Sequence, residues 1–433
     1  MTELRKKFRN RTRKPERRLE FGLLVLVAIV TSASYVLAQL GHSHALPSHV
    51  TTFLAVLFAL LLIGHVALRY LAPFSNPLLL PAAGLLNGIG YVFISRLDTR
   101  LAGAQALWTL VSMVAFIGVL VFVPRLRDLE RYRYTAALVG IVLLVLPAFV
   151  GQDINGSRIW LRFGPFNFQP GELAKILLAI FFASYLVEKR ELLTTPTRRF
   201  GNLLMPDLRH FGPILLAWAL SLVILLRERD LGSSLLFFAL FIVLLWIATG
   251  RVAYLIVGGL MFSAGSFLAY TMFGHVRERF VTWLHPFKNG RNTQLAESVF
   301  ALGTGGIFGT GIALGSPDRI PFVKTDFIFS AIGEEWGFFG VMALIACYIL
   351  IMGVGMRIAM RAQHPFEKLL VSGLAAIISI QTFIIVGGVT RLIPLTGITL
   401  PFVSYGGSSL VANYILLALV LRASHDIAPE VRT

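Results

Sequence analysis

Residues 305–340 read GGIFGTGIALGSPDRIPFVKTDFIFSAIGEEWGFFG, and the nature of the fold turns on this stretch. Glycines, Asp318, Arg319, Lys324, Asp326, Glu334 and Glu335 lead straight into an apolar run that continues to residue 356. A run of that length reads as a membrane helix. Ionisable groups set against or inside a span are costly and mark function. The stretch therefore predicts a polar chamber facing one side of a bilayer.

The rest of the chain agrees. Of its 433 residues 56% are hydrophobic and only 14% charged, where a soluble domain carries about a quarter charged. Twelve apolar runs are expected to span, at roughly 19–40, 51–71, 78–95, 104–123, 135–151, 169–187, 211–227, 231–249, 253–273, 328–356, 368–390 and 404–423. The fold class is thus an all-α, polytopic integral membrane bundle. The first run is too long for a signal-peptide core and lacks an evident cleavage site, so it reads as a retained span. Cys347 is the only cysteine, which excludes an internal disulfide and a cysteine metal site. The net charge of +17 reads as membrane topology, and no nucleic-acid partner is expected.

Lysine and arginine set the orientation. The tail 1–18 carries Arg5, Lys6, Lys7, Arg9, Arg11, Arg13, Lys14, Arg17 and Arg18. With that tail in the cytoplasm, loops 124–134, 188–210 and 357–367 and the C-terminal tail 424–433 share its side. That side then holds the larger part of the 39 basic residues, so both termini are expected in the cytoplasm. The tail itself reads as a topology anchor with attraction to anionic membrane lipids. The opposite face carries 152–168, 227–230, 274–327 and 391–403. The stretch 274–327 is too long for an idle connection. Its apolar, glycine-rich part AESVFALGTGGIFGTGIALG predicts re-entrant or interface-lying helices. No soluble domain, internal repeat or low-complexity segment stands out.

Four polar constellations lie on that face, each with two readings. In 156–178, Arg158 and Arg162 flank Trp160, Gln169-Pro170 predicts a helix start, and Glu172 and Lys175 share one helical face. This is either a cationic and aromatic platform for an anionic, sugar-bearing headgroup or an interfacial belt with an internal ion pair. In 227–234, Asp230 either caps the helix opening at Leu231 or belongs to the outer cavity. In 274–327, Thr325-Asp326 before Phe327-Ile328-Phe329 has the pattern of a helix cap. The spacing lets Asp326 and Glu334 face one cavity, with Glu335 pointing elsewhere. An ion-pair network is the alternative. In 391–409, two prolines, three glycines and hydroxyls, including Ser404, Gly406, Gly407 and Ser408, bend the chain before the last span. That places N–H groups for an anion or makes a polar re-entrant loop. His65 and His210 show no partner spacing and read as packing residues. No spacing specifies a metal, while a divalent cation bridged by substrate phosphates remains compatible with the chain. The absence of a Walker or dinucleotide motif disfavours ATP-driven pumping.

Four segments together carry a family resemblance: IWLRFGPFNFQPGELAK, RDLGSSLL, TGGIFGTG…TDFIFSAIGEE and PLTGITLPFVSYGGSSL, in order over 156–423. They resemble the signatures of the SEDS family, the shape, elongation, division and sporulation proteins. APFSNPLLLPAAGLLNGIGYVFISRLD resembles the actinobacterial RodA-type branch, which adds two N-terminal spans to the usual ten. The resemblance divides the chain into the tail 1–18, two extra spans in 19–71, a core over 78–423 and the tail 424–433.

It implies a bacterial plasma-membrane peptidoglycan glycosyltransferase. Such an enzyme polymerises lipid II at the outer face during elongation, with a class B penicillin-binding protein as transpeptidase partner. An acceptor sugar hydroxyl attacks the donor's anomeric carbon and undecaprenyl pyrophosphate leaves. The chemistry needs a carboxylate base and cationic or N–H groups at the pyrophosphate. Arg158, Trp160, Glu172 and Lys175 are expected to position the headgroup. Asp230, Thr325, Asp326, Glu334 and the 404–408 turn are expected to shape the cavity.

The chain departs from the family at one point. The family reads Trp-Leu-Asp-Pro, then a second Asp-Pro and Gly-Tyr-Gln, with catalysis attributed to the second aspartate. Here Trp283-Leu284-His285-Pro286-Phe287-Lys288-Asn289 is followed by Gly290-Arg291-Asn292-Thr293-Gln294, in a slightly shorter loop. Asn289 stands at the aspartate, and an amide accepts no proton at neutral pH. Glu297 is the first substitute, with Asp230, Asp326 and Glu334 as further options. The departure also allows an inactive copy that scaffolds or activates the transpeptidase, or a lipid II transporter. A generic secondary transporter would show pseudo-symmetric halves, which the sequence does not.

Overall fold

The computed structural model describes residues 17–43, 50–154, 157–164, 166–194, 198–200, 203–205, 219, 230–287 and 293–428. Helices α1 (Arg17–Ser43), α2 (Val50–Leu71), α3 (Leu79–Leu97) and α4 (Thr99–Phe122) open the chain. A 3₁₀ helix, Leu126–Tyr132, leads into α5 (Arg133–Val150). Three strands follow, β1 (Gln152–Ile154), β2 (Ser157–Phe163) and β3 (Phe166–Phe168), then α6 (Gly171–Glu188) and the short α7 (Arg190–Thr194). A hairpin of β4 (Arg198–Phe200) and β5 (Leu203–Met205) precedes α8 (Leu231–Thr249), α9 (Val252–Met272), α10 (Gly274–Leu284) and α11 (Thr293–Gly305). Three long helices close the bundle: α12 (Ile328–Arg361), α13 (Pro365–Val389) and α14 (Gly407–Asp426).

Among the described residues ten helices are long and apolar enough to cross a membrane. The expected span 169–187 forms as α6, but Glu172, Lys175 and Glu188 make it too charged to count among them. The expected span 211–227 lies outside the described residues. The helices α3, α13 and α14 are mostly buried, whereas α1, α2, α4, α5 and α9 keep broad apolar faces open to lipid. Apolar residues on both sides of the central helices are what a bilayer-embedded core requires.

Two departures from expectation have local causes. The helix α4 starts at Thr99 rather than near 104, because Asp98 caps it, accepting a hydrogen bond from the Arg100 N–H. Residues 152–168, expected only as a connection, fold into an antiparallel sheet ordered β1-β2-β3, with Leu161 opposite Phe168 and Gly164 turning the second hairpin at φ 60°. Successive strand residues alternate faces, so Arg158, Trp160 and Arg162 share one face of β2.

The α12 helix is broken at Gly337 (φ 65°, ψ −164°). The glycine-rich loop fills the break. Thr310 and Gly311 donate to the carbonyls of Glu334 and Glu335, and Phe338 and Phe339 donate to Gly306 and Ile307. Glycine permits this backbone-to-backbone contact: a Cβ on Gly309 would lie 2.1 Å from the Glu335 carbonyl oxygen.

Candidate functional site at the loop end of the bundle

Residues 391–406 are the hub. Pro394 and Pro401 lack an N–H, and Arg391, Gly397 and Phe402 have positive φ, so the segment cannot continue as helix. It is nevertheless buried at Thr396, Ile398, Leu400, Phe402, Val403 and Ser404. Buried irregular backbone must find partners in the protein, and here side chains from several elements supply them. Arg279 donates from Nη1 to the carbonyls of Leu395 (3.1 Å) and Thr396 (2.7 Å). Gln381 Nε2 reaches Thr399 O at 2.9 Å, Tyr348 Oη reaches Pro401 O at 2.6 Å, and Trp283 Nε1 reaches Arg391 O at 2.9 Å.

One flank of the hub holds Glu172 and Lys175, both buried on α6. Lys175 Nζ lies 2.6 Å from Glu172 Oε2 and 2.8 Å from Gln381 Oε1. Through Gln381 the ion pair is wired to the Thr399 carbonyl, and Thr399 Oγ1 donates to Ser409 Oγ at 2.8 Å. A lysine this deep persists because a carboxylate balances its charge and an amide oxygen takes a second of its three donors.

The other flank holds Asp230, Arg279 and Asp326. Asp230 caps α8 as its position predicts, accepting at Oδ1 from the N–H of Gly232 (2.9 Å) and Ser233 (3.3 Å). Thr325 and Asp326 do not cap α12, contrary to the sequence pattern. The α12 helix opens after Phe327 with no side-chain cap, and the Phe322 carbonyl, at φ 59°, takes the N–H groups of Thr325, Asp326 and Phe327. Asp326 is thereby turned toward the hub. A methyl on Gly397 (φ 80°) would lie 3.6 Å from Asp326 Oδ2 and 3.8 Å from both terminal nitrogens of Arg279. Burial pushes the Asp326 carboxyl up to about 6, with Thr325 and Arg279 opposing and Asp230 adding to the rise. Burial also raises Asp230, against the hydrogen bonds of Ser233 and Gly232 and the charge of Arg279. A carboxylate titrating near 6 beside a fixed guanidinium is ionised at neutral pH and still basic enough to accept a proton.

The structure separates Glu334 from this group, where the spacing suggested one cavity with Asp326. Glu334 Oε1 accepts the Ser316 N–H at 2.8 Å, while Glu335 pairs with Arg96 (2.7 Å) and accepts the Ala313 N–H (2.9 Å). Both neighbours hold the glycine-rich loop. The 404–408 turn is likewise committed internally. Ser404 Oγ donates to Thr325 O and accepts from Leu400 N, and Ser408 Oγ accepts from Gln169 N at 2.9 Å. Gly406 is the residue before α14, and Gly407 packs on the Trp108 ring, 2.1 Å from where a Cβ would sit. Arg158 is exposed and Trp160 half-buried on β2. Glu297 is half-buried on α11, one residue from Ser298, whose Oγ meets Ser330 Oγ at 2.7 Å. Asn289 lies outside the described residues, as does His210.

Sequence reasoning missed three groups. Gln381 had a signal, a lone amide in the middle of an apolar span. Arg279 had none, being one of many arginines in its loop. His65, read as a packing residue, sits with Nδ1 2.7 Å from buried Glu20 at the other end of the bundle. Among the described residues no group of three or more His, Cys, Asp or Glu is placed to hold a metal ion.

A many-span helical membrane protein whose ionic groups meet on a buried irregular segment at one end of the bundle gathers its polar chemistry on one membrane face. The sequence profile of the FtsW/RodA/SpoVE family, described as cell cycle protein, matches residues 93–428. The chain belongs to this family, the SEDS proteins. It is 43% identical over 96% of its length to the peptidoglycan glycosyltransferase RodA of Mycobacterium tuberculosis, covering 92% of that protein. Identity to the Mycobacterium leprae RodA is 42% over the same shares. The probable peptidoglycan glycosyltransferase FtsW of Geobacter metallireducens is 34% identical over 72% of this chain and 83% of its own. Among solved structures, a chain of a peptidoglycan synthase complex that coordinates polymerization and crosslinking superposes with a TM-score of 0.68 at 26% identity, covering 82% of this chain and 99% of that one.

Proposed function

We propose that this chain is a peptidoglycan glycosyltransferase that polymerises lipid II at the outer face of the cytoplasmic membrane, with both termini in the cytoplasm. The observation that carries the reading is the convergence of Glu172–Lys175 and Asp230–Arg279–Asp326 on the two flanks of one re-entrant segment. That end of the bundle is the sparsely basic one, which supports its outward orientation. Relatives named for this activity match over nearly the whole chain.

In the reaction an acceptor hydroxyl attacks the donor's anomeric carbon, and the bond to undecaprenyl pyrophosphate breaks. Asp326 takes the hydroxyl proton, with Glu297 the second candidate base. Arg279 offsets the charge that grows on the departing pyrophosphate. Arg158 and Trp160 on the β2 face meet the headgroup as it enters, and Glu172 and Lys175 fix the hub behind it. Any divalent cation would be carried by the pyrophosphate oxygens rather than by a preformed protein cage. Likeness to a chain of a synthase complex supports a class B penicillin-binding protein as partner.

The test is purified protein incubated with labelled lipid II, with and without that partner; polymer is expected, and its absence under both conditions rejects catalysis. One observation favours a second reading. Asn289 at the family's aspartate position suits a scaffold or activator of the transpeptidase, or a lipid II carrier. Asn289→Asp should raise activity if the substitution costs rate, and indifference to changes at Asn289, Asp326 and Glu297 alike would favour the scaffold.

A further inference from the structure

The α4–α5 connection, at the end of the bundle where α1 begins and α14 ends, reads RLRDLERYR over 125–133 and forms the 3₁₀ helix Leu126–Tyr132. Residues three apart stack in a row on such a helix, so three rows result. Leu126, fully buried, and Leu129, half-buried, form the inward row. Asp426 Oδ2 accepts the Leu126 N–H at 2.8 Å and ties that row to the end of α14. The other two rows read Arg125–Asp128–Arg131 and Arg127–Glu130–Arg133, and together they line a cavity of about 610 Å³.

Four guanidinium groups against two carboxylates leave the cup positively charged. Arg133 is partly spent on Glu188 at 2.6 Å and lies over the Tyr134 ring at 4.9 Å. Glu130 is drawn toward His364, at 3.9 Å. Arg125 also faces the Asp426 carboxylate, whereas Arg127 and Arg131 are exposed and make no ion pair among the described residues. Guanidinium forks match phosphate oxygens two at a time. The cup's surroundings fix where that phosphate comes from. Phe122 is 84% exposed, Tyr132 58% and Tyr134 65%, at the ends of two membrane helices. Exposed aromatics at span ends mark the depth of lipid headgroups.

We propose that this cup binds the headgroup phosphate of an anionic phospholipid, in the cytoplasmic leaflet on the orientation proposed above. A zwitterionic headgroup brings an ammonium that the arginines repel. Only the name of the leaflet rests on the functional reading, and lipid II polymerisation is a separate measurement.

The test is native mass spectrometry of the full-length protein titrated with phosphatidylglycerol or phosphatidylcholine, beside thermal unfolding with each lipid or with inorganic phosphate. Wild type should retain phosphatidylglycerol in preference to phosphatidylcholine. R127Q/R131Q should bind phosphatidylglycerol roughly 30-fold more weakly, at about a tenfold loss for each 1.4 kcal/mol and about 1 kcal/mol for each arginine. R127K/R131K, which keeps the charge but not the fork, should retain more phosphatidylglycerol than R127Q/R131Q and less than wild type, so a general loss of structure is told apart from loss of the site. R9Q/R11Q in the basic tail, whose attraction to anionic lipid is diffuse, should cost less of the retained phosphatidylglycerol than R127Q/R131Q. Retention by R127Q/R131Q equal to wild type, or an equal loss in the tail variant, overturns the proposal. Stabilisation by inorganic phosphate equal to that by phosphatidylglycerol also overturns it, in favour of a soluble anion.

Discussion

Asp326 and Lys175 show how burial shapes single residues at the hub. Asp326 holds its proton up to about 6 in the folded protein, above its ordinary value of 3.8. Its contribution to stability is therefore present at low pH and declines as pH rises through that window. A base must be ionised to act, so the polymerisation rate should rise with pH through about 6 and level above it. Asp326→Asn should lower the rate roughly 100- to 10,000-fold and remove that acid limb. A pH–rate profile checks both, and an unchanged limb in the variant would move the base elsewhere, with Glu297→Gln the next test. Lys175 is 1% exposed and balances Glu172. Lys175→Met strands a buried carboxylate at a cost of about 3–5 kcal/mol. The double change Lys175→Met with Glu172→Gln should recover much of that loss, as read from thermal unfolding in detergent.

At the scale of elements, the break in α12 is as informative as the helices. Gly337 sits at φ 65°, and a methyl there would lie 2.2 Å from the Gly309 nitrogen and 2.6 Å from the Ile307 carbonyl oxygen. Gly337→Ala should cost at least about 1–3 kcal/mol from backbone strain alone, and should release the loop that holds Glu334 and Glu335. Limited proteolysis at 306–316 measures that release; protection equal to wild type would show that the loop is held by other means. The spans themselves were legible in the sequence because each must present some twenty apolar residues to lipid. The break was not, since GEEWGFFG reads as continuous helix until the loop's carbonyls and N–H groups are placed opposite it. The same limit explains Thr325-Asp326. A cap pattern is local, whereas the Phe322 carbonyl that displaced it depends on an unusual φ. The β1-β2-β3 sheet was hidden by its short strands, although the alternation Arg158, Trp160, Arg162 was there to be read. The hub's membership was legible only in part. Asp230 and Lys175 stood out by position, while Arg279 joins through carbonyls that sequence cannot assign.

At the scale of the molecule, α1 runs the full depth of the bundle beside a family core that the profile match begins only at residue 93. At its first turn Arg17 pairs with Glu20, which meets His65, and donates to the carbonyls of Ala72 (2.6 Å), Pro73 (3.0 Å) and Ser75 (3.1 Å). At mid-depth a Cβ on Gly88 would lie 2.5 Å from Thr31 Oγ1, so α1 and α3 approach as closely as small residues allow. At the far end a Cβ on Gly41 would lie 2.9 Å from the Ile312 carbonyl oxygen and 3.0 Å from Ala313 Cβ. The helix anchored at one end of the bundle thus presses on the glycine-rich loop at the other. That loop supplies the N–H groups of Thr310, Gly311, Ala313 and Ser316 to Glu334 and Glu335. Gly41→Val should therefore displace the loop without unfolding the core. Hydrogen exchange at those four amides should accelerate while the amides of α13 keep their protection. If the four amides exchange as in wild type, α1 is only a neighbour; if α13 loosens with them, the helix supports the whole core rather than the loop.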